Sequence, residues 1–371
     1  MARLALRVVT MAAAMVLATG SAAVAATPQI KMIDLGEGHI ATVNDRGDIV
    51  GDSGFGGLAL WRHVDYAMED LGIGGNYWGP VGINRRADVV GHLGEGPGFL
   101  WRKGTVTSLI HPSGDPVWAV AINDRGQIAG FRATSDFAPD RPFVWQRGVF
   151  TDLGSWHDLS SGEAVDINNR GQVIVNLYSA DWSEQRALLW WRDTVIDLGS
   201  LGGTHTWAVA INDRGMVVGR SEDAAGIIHP FLWRAGRMID LWPAADDSWG
   251  SEAVAINAFG DVVGTAGGRP ALWRGGTFVD ICPGRFGSAT AINDRGDVAG
   301  TTFDPNSLYA IRTPFRWRHH KLIDFDILAP GLVGTWVNAI DDRGRVVGTS
   351  LAEGGSDHIV VWTVNPAPAV D

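Results

Sequence analysis

The chain has 371 residues, 46% of them hydrophobic and 19% charged, with 49 Gly, 17 Trp and a single Cys. That apolar share excludes a wholly disordered chain. A net charge of −11 excludes a basic surface for non-specific nucleic-acid binding, and the lone Cys282 excludes an intramolecular disulfide or a cysteine zinc site.

Residues 1–26 read as a secretory signal peptide. Arg3 and Arg7 precede an apolar run from Val8 to Ala18, and Ala22 to Ala26 offers an A-x-A cleavage site. The run is shorter than the about 20 residues a membrane span needs. Cleavage and export are expected, and losing two arginines takes the net charge from −11 to −13. The mature product should then be secreted and extracellular, a soluble monomer with no membrane insertion and no nucleic-acid partner.

Met32-Ile33-Asp34-Leu35 follows as a lone strand that belongs to no complete repeat. After it, Ala-Ile-Asn-Asp-Arg-Gly followed by Val-Val-Gly, or a close variant, recurs eight times. The Asn falls at Asn44, Asn84, Asn123, Asn168, Asn212, Asn257 and Asn293, with Asp341 in its place at the end, a mean spacing of about 42 residues. Each copy then carries an aromatic strand ending in Trp: Trp61, Trp101, Trp145, Trp191, Trp233, Trp273, Trp317 and Trp362. An Asp-Leu segment or a relative follows in the first seven copies, as at Asp70-Leu71, Asp240-Leu241 and Asp324-Phe325.

Each copy reads as four short strands, A to D. In the fifth they are Trp207–Asn212, Met216–Gly219, Pro230–Arg234 and Met238–Leu241, with Asn212-Asp213-Arg214-Gly215 as a tight turn. No sustained helical period occurs after residue 26. Four-stranded units of this length fit the blades of a β-propeller. The last copy lacks strand D, and Met32–Leu35 would supply it, closing the ring and removing two sheet edges. The expected fold is therefore an all-β, eight-bladed propeller, a single domain over 27–365 with a short tail at 366–371. An open β-solenoid, the rival, needs no such complementary ends.

The chain resembles the HAF-repeat family of exported bacterial proteins. The likeness runs through Leu198-Gly199-Ser200-Leu201-Gly202-Gly203, Trp207-Ala208-Val209-Ala210-Ile211-Asn212, Gly215-Met216-Val217-Val218-Gly219, His229-Pro230-Phe231-Leu232-Trp233 and Met238-Ile239-Asp240-Leu241, once per repeat along the mature chain. His-Ala-Phe itself is absent, and His229-Pro230-Phe231 is its nearest relative. The resemblance implies an extracellular repeat protein and carries no catalytic residues with it.

The repeated residues point to structure. The eight C-strand tryptophans are expected to pack between neighbouring sheets. Each Asp-Leu aspartate is expected to accept backbone hydrogen bonds or to pair with the Arg after the Trp, such as Arg234 or Arg274. The turns lack the alternating acids of a calcium loop, so neither a metal nor another cofactor is expected.

Function is expected among the irregular residues. A–B and C–D turns are short and share one face, while the longer, varied B–C and D–A loops share the other. Trp156, Trp182 and Trp249 stand off the repeat register on that loop face, with Trp118, Trp207 and Trp336 each five residues before the Asn site. The last three either cap their blades or join the surface. Aromatic platforms beside polar groups suit a glycan or an extracellular protein. A glycan-acting hydrolase or lyase would instead use Asp166, Asp158 or Asp247 as acid and base near the channel mouth. A self-associating surface protein is the third reading.

Overall fold

A computed structural model of the chain describes residues 8–9, 29–54, 56–74, 82–92, 97–133, 140–154, 159, 161–192, 194–243, 250–306, 312–329 and 334–365. The signal segment, Val8–Val9 apart, and the 366–371 tail lie outside the described residues.

The repeats form successive four-stranded antiparallel sheets, here numbered by repeat. Sheet 5 runs Gly202–Ile211, Val217–Asp223, Ile228–Arg234 and Arg237–Asp240 in sequence order. Sheets 1 to 7 follow this pattern, and sheets 4 and 5 are joined by one parallel pair, Gln185 with His205. Sheet 8 holds Thr335–Ile340, Val346–Leu351 and Asp357–Asn365, and its fourth strand is Gln29–Glu37 from the other end of the chain. The fold is all-β and propeller-like.

The core lies between sheets rather than within any one. Val218 and Leu232 of sheet 5 pack with Val262 and Trp273 of sheet 6. Ile33, Val347 and Ile359 of sheet 8 pack in the same way against Ile49, Ala59 and Trp61 of sheet 1. The alternation of apolar residues along each strand supplies both faces at once. Trp61, Trp101, Trp233, Trp273, Trp317 and Trp362 are buried in these layers, and Trp145 is half-buried against one. In the fourth repeat the expected tryptophan is displaced by one residue. Trp190, not Trp191, pairs with Val173 as Trp233 pairs with Val217. Trp191 faces solvent and lies under the Arg192 guanidinium.

The Asn-Asp-Arg-Gly turns lock each repeat to the next. Asn212 Oδ1 accepts the N–H groups of Arg214 and Met216, both at 3.0 Å, and its Nδ2 donates to the Asn257 carbonyl at 2.9 Å. Gly215 closes the turn at φ +78°, a region glycine enters without strain. Asp341 has no amide to donate, and there the Asp342 N–H donates to the Asp45 carbonyl at 3.0 Å instead.

The glycine of Val-Val-Gly has a different cause. Strand A carries a β-bulge, between Ala208 and Ala210 in sheet 5. A Cβ on Gly219 would lie 1.9 Å from the Trp207 carbonyl oxygen, and one on Gly264 1.9 Å from that of Glu252. Only glycine lets the bulged strand approach so closely.

The Asp-Leu aspartates take the first of their two expected roles. Asp197 accepts from the Gly199 N–H at 2.7 Å and Asp240 from the Trp242 N–H at 2.9 Å, forming Asx turns. The arginines after the tryptophans go elsewhere. Arg274 pairs with Asp261 at 3.1 Å and Arg102 with Asp88 at 2.9 Å, both acids at the end of the A–B turn.

Candidate functional site

The loop end of sheets 4 and 5 brings together two of the tryptophans singled out in the sequence. Trp182 sits in the turn before Gln185–Trp191 and is 68% exposed. Its backbone is left-handed, at φ +59°, where a bulky side chain is strained. Tyr178 packs beside it, ring centres 4.9 Å apart. On the next sheet His205 stacks on Trp207, with 5.5 Å between centres and 15° between planes. The Arg220 guanidinium lies 4.8 Å from the Trp207 ring.

His205 ties the halves together. Its Nδ1 faces Glu222 Oε2 at 2.8 Å and its Nε2 faces the Trp182 carbonyl oxygen at 3.2 Å. Both partners are acceptors, so the imidazolium, with an N–H on each nitrogen, satisfies both at once. The Glu222 hydrogen bond accordingly raises the His205 pKa above its ordinary value. Burial raises that of the Tyr178 hydroxyl, which donates to Glu163 Oε1 at 3.2 Å.

Trp118 and Trp336 stand apart from this cluster. Trp118 stacks on Phe131, 5.4 Å between centres and nearly parallel, with His92 beside it. Trp336 is 45% exposed beside Arg312. All three register tryptophans lie within strands rather than in loops, Trp118 and Trp336 near the start and Trp207 in the middle. Trp156, Trp249, Asp158 and Asp247 lie outside the described residues.

Asp166 is a bridge and not a free acid. Its Oδ1 accepts the Ile167 N–H at 2.7 Å and its Oδ2 accepts the Ile211 N–H of the next sheet at 3.1 Å. Burial pushes its pKa up to about 6 against those two donors. Each carboxylate oxygen is thus committed to backbone.

At the opposite end, a cavity of about 320 Å³ is lined by turn residues from all eight repeats. The second turn position supplies Asp45, Asp124, Asp213, Asp294 and Asp342, with Arg85, Asn169 and Ala258 in the other three repeats. Arg85 lies 2.8 Å from Asp45 and 3.8 Å from Asp342. Burial, with Asp45 and Asp294 nearby, raises the Asp342 pKa. The sequence held the signal for this cavity in the second turn position, but a repeated turn reads as scaffold. Among the described residues no group of three or more His, Cys, Asp or Glu is arranged to hold a metal ion.

No family model matches the chain, and no curated protein matches it. Solved structures do. The computationally designed Ika8 protein gives a TM-score of 0.53 at 18% identity, over 88% of this chain and 96% of that one. A prolyl endopeptidase gives 0.53 at 12% identity over 85% of this chain, which corresponds to 54% of the enzyme chain. The gluconolactonase XC5397 from Xanthomonas campestris gives 0.43 at 10% identity, over 96% and 97%. At such identities the likeness is one of fold.

Proposed function

We propose that this chain is a secreted, closed eight-bladed β-propeller of the HAF-repeat type, whose loop face binds an extracellular glycan. Gln29–Glu37 completes the eighth blade, and the domain spans 27–365 once the 1–26 signal is removed. The observation that carries the binding role is Trp182. A large apolar ring is held in solvent at a strained backbone position, beside Tyr178 and the His205–Trp207–Arg220 stack. Glycine would take that backbone without strain, and a ring kept only for packing would be buried. Flat aromatic faces edged by Glu222, Glu184 and Arg220 offer a sugar ring apolar contact with directed hydrogen bonds at its rim.

The test is a polysaccharide panel on the mature protein, read by tryptophan fluorescence and by product release. Binding without turnover is expected. Trp182→Ala should weaken it about tenfold, on the scale of a lost aromatic anchor, while leaving the melting temperature within a degree or two, because the ring buries little. Product release from the same panel would replace the binding reading with the hydrolase one. Silence on every glycan, with concentration-dependent assembly in its place, would favour a self-associating surface protein.

A further inference from the structure

A second feature of the loop end lies at sheets 7 and 8, away from Trp182. A groove of about 580 Å³ is lined by Arg285, Phe286, Thr302, Phe303, Asn306 and Asp324 among others. One of its charges is paired, and Asp304 keeps its negative charge within an Asx turn. Arg285 pairs with Asp324 at 2.6 Å, and Asp304 Oδ1 accepts the Asn306 N–H at 2.9 Å. At its rim, Arg312 is different. Its guanidinium carbon lies 6.0 Å from the ring centre of Phe303 and 6.0 Å from that of Trp336. Half-buried between two sheets, it pairs with no carboxylate among the described residues. The five residues before it in the sequence, Ser-Leu-Tyr-Ala-Ile, include no acid.

A guanidinium flanked by aromatic rings loses water from its faces and keeps its in-plane N–H donors for a planar oxyanion. From this we infer that the groove is a subsite for a uronic-acid residue, whose carboxylate takes the Arg312 fork. The exposed face of Trp336 would carry the sugar ring, with the exposed Asn306 side chain for its hydroxyls. This rests on the loop-face glycan reading and adds to it the class of sugar, an acidic polysaccharide. The mature chain's net charge of −13, two below the −11 of the full sequence, repels a polyanion at long range, so added salt screens attraction and repulsion together. Removing the carboxylate from the ligand is therefore the cleaner probe.

The experiment is calorimetric titration of the mature chain with polygalacturonate and with the same polymer after its carboxyl groups are reduced to alcohols. The acidic polymer should bind about tenfold tighter, the scale of one charge-assisted pair. Arg312→Gln should bring the two polymers within about twofold of each other, Arg312→Lys should keep part of the preference, and Trp182→Ala should weaken both alike. Circular dichroism of both Arg312 variants checks their fold. Equal binding of both polymers by the wild type, or an undiminished preference in folded Arg312→Gln, would overturn the uronate inference and leave the glycan reading standing. Failure of both polymers together with the whole glycan panel would overturn both. Displacement of bound polymer by an acidic peptide but not by free galacturonate would move the carboxylate to a protein partner and also overturn it.

Discussion

At the turn end, seven of the eight repeats set the same Asn amide against the next repeat's carbonyl. Five residues earlier, at the loop end of the same strands, stand His39, Trp118, Glu163, Trp207, Glu252, Ser288 and Trp336. The turn end is held through side chains, so its residue type cannot drift without breaking a lock. The loop end is held through backbone. The carbonyl of that variable residue is the atom that meets the strand B glycine in six repeats, at Gly51, Gly130, Gly219, Gly264, Gly300 and Gly348. Place is fixed while identity is free, which is what a surface that diversifies its contacts requires.

The hardest blow to this division is Gly219→Ala. The new Cβ would sit 1.9 Å from the Trp207 carbonyl oxygen, which is backbone and cannot swing aside. A loss of about 4 kcal/mol in denaturant unfolding is expected, from overpacking a site that cannot relax. A stable Gly219→Ala protein would mean that the bulge does not hold the loop end in place.

Asp166 tests the link between neighbouring sheets midway. Its pKa is raised from 3.8 to about 6 by burial, so its contribution to stability is whole below pH 3.8 and is lost as pH rises through about 6. Asp166→Ala, the residue most other repeats carry, should remove that slope. The stability difference between wild type and variant should change by about 3 kcal/mol across the window, measured by urea unfolding at several pH values. Parallel curves would show that the carboxyl is solvated.

The smallest effect belongs to the loop end. His205 is raised above 6.5 by Glu222, so its two hydrogen bonds are whole below pH 6.5, and one is lost as pH rises through the raised value. The wild-type tryptophan emission should shift over that range as the Trp182 turn loosens. His205→Gln should flatten the shift and change stability by well under about 1 kcal/mol, because the pair is partly exposed. An unchanged titration in the variant would place the signal elsewhere.

The sequence disclosed the repeat, its turns, the buried tryptophans and the spare strand Met32–Leu35, because each follows from a period that one chain displays to itself. It could not separate Trp190 from Trp191. Adjacent residues on a strand face opposite ways, and only the hairpin register decides which is inside. Asp166 stood out as an Ala replaced by an acid, but its role depends on the Ile211 N–H, 45 residues away. The His205–Trp182 tie and the Arg312 setting also join different sheets, and no local pattern announces such pairs. Arg274 reaches Asp261 within its own repeat rather than an Asp-Leu aspartate, a choice set by strand geometry and not by the repeat's order.

The strand that completes sheet 8 has a consequence in time. Asp34 meets His358, 324 residues further along the chain, so the first strand of the domain to be made waits for the last. Seven sheets can form from neighbouring segments as they emerge, but the eighth needs both ends present at once, and such distant pairing is slow. Until then Gln29–Glu37 lacks its partner Asp357–Asn365, and the apolar residues it places against sheets 7 and 1 have no complete sheet behind them. Were the chain exported unfolded, in line with the proposed secretion, this delay would keep the seam unfastened until its last strand had followed its first.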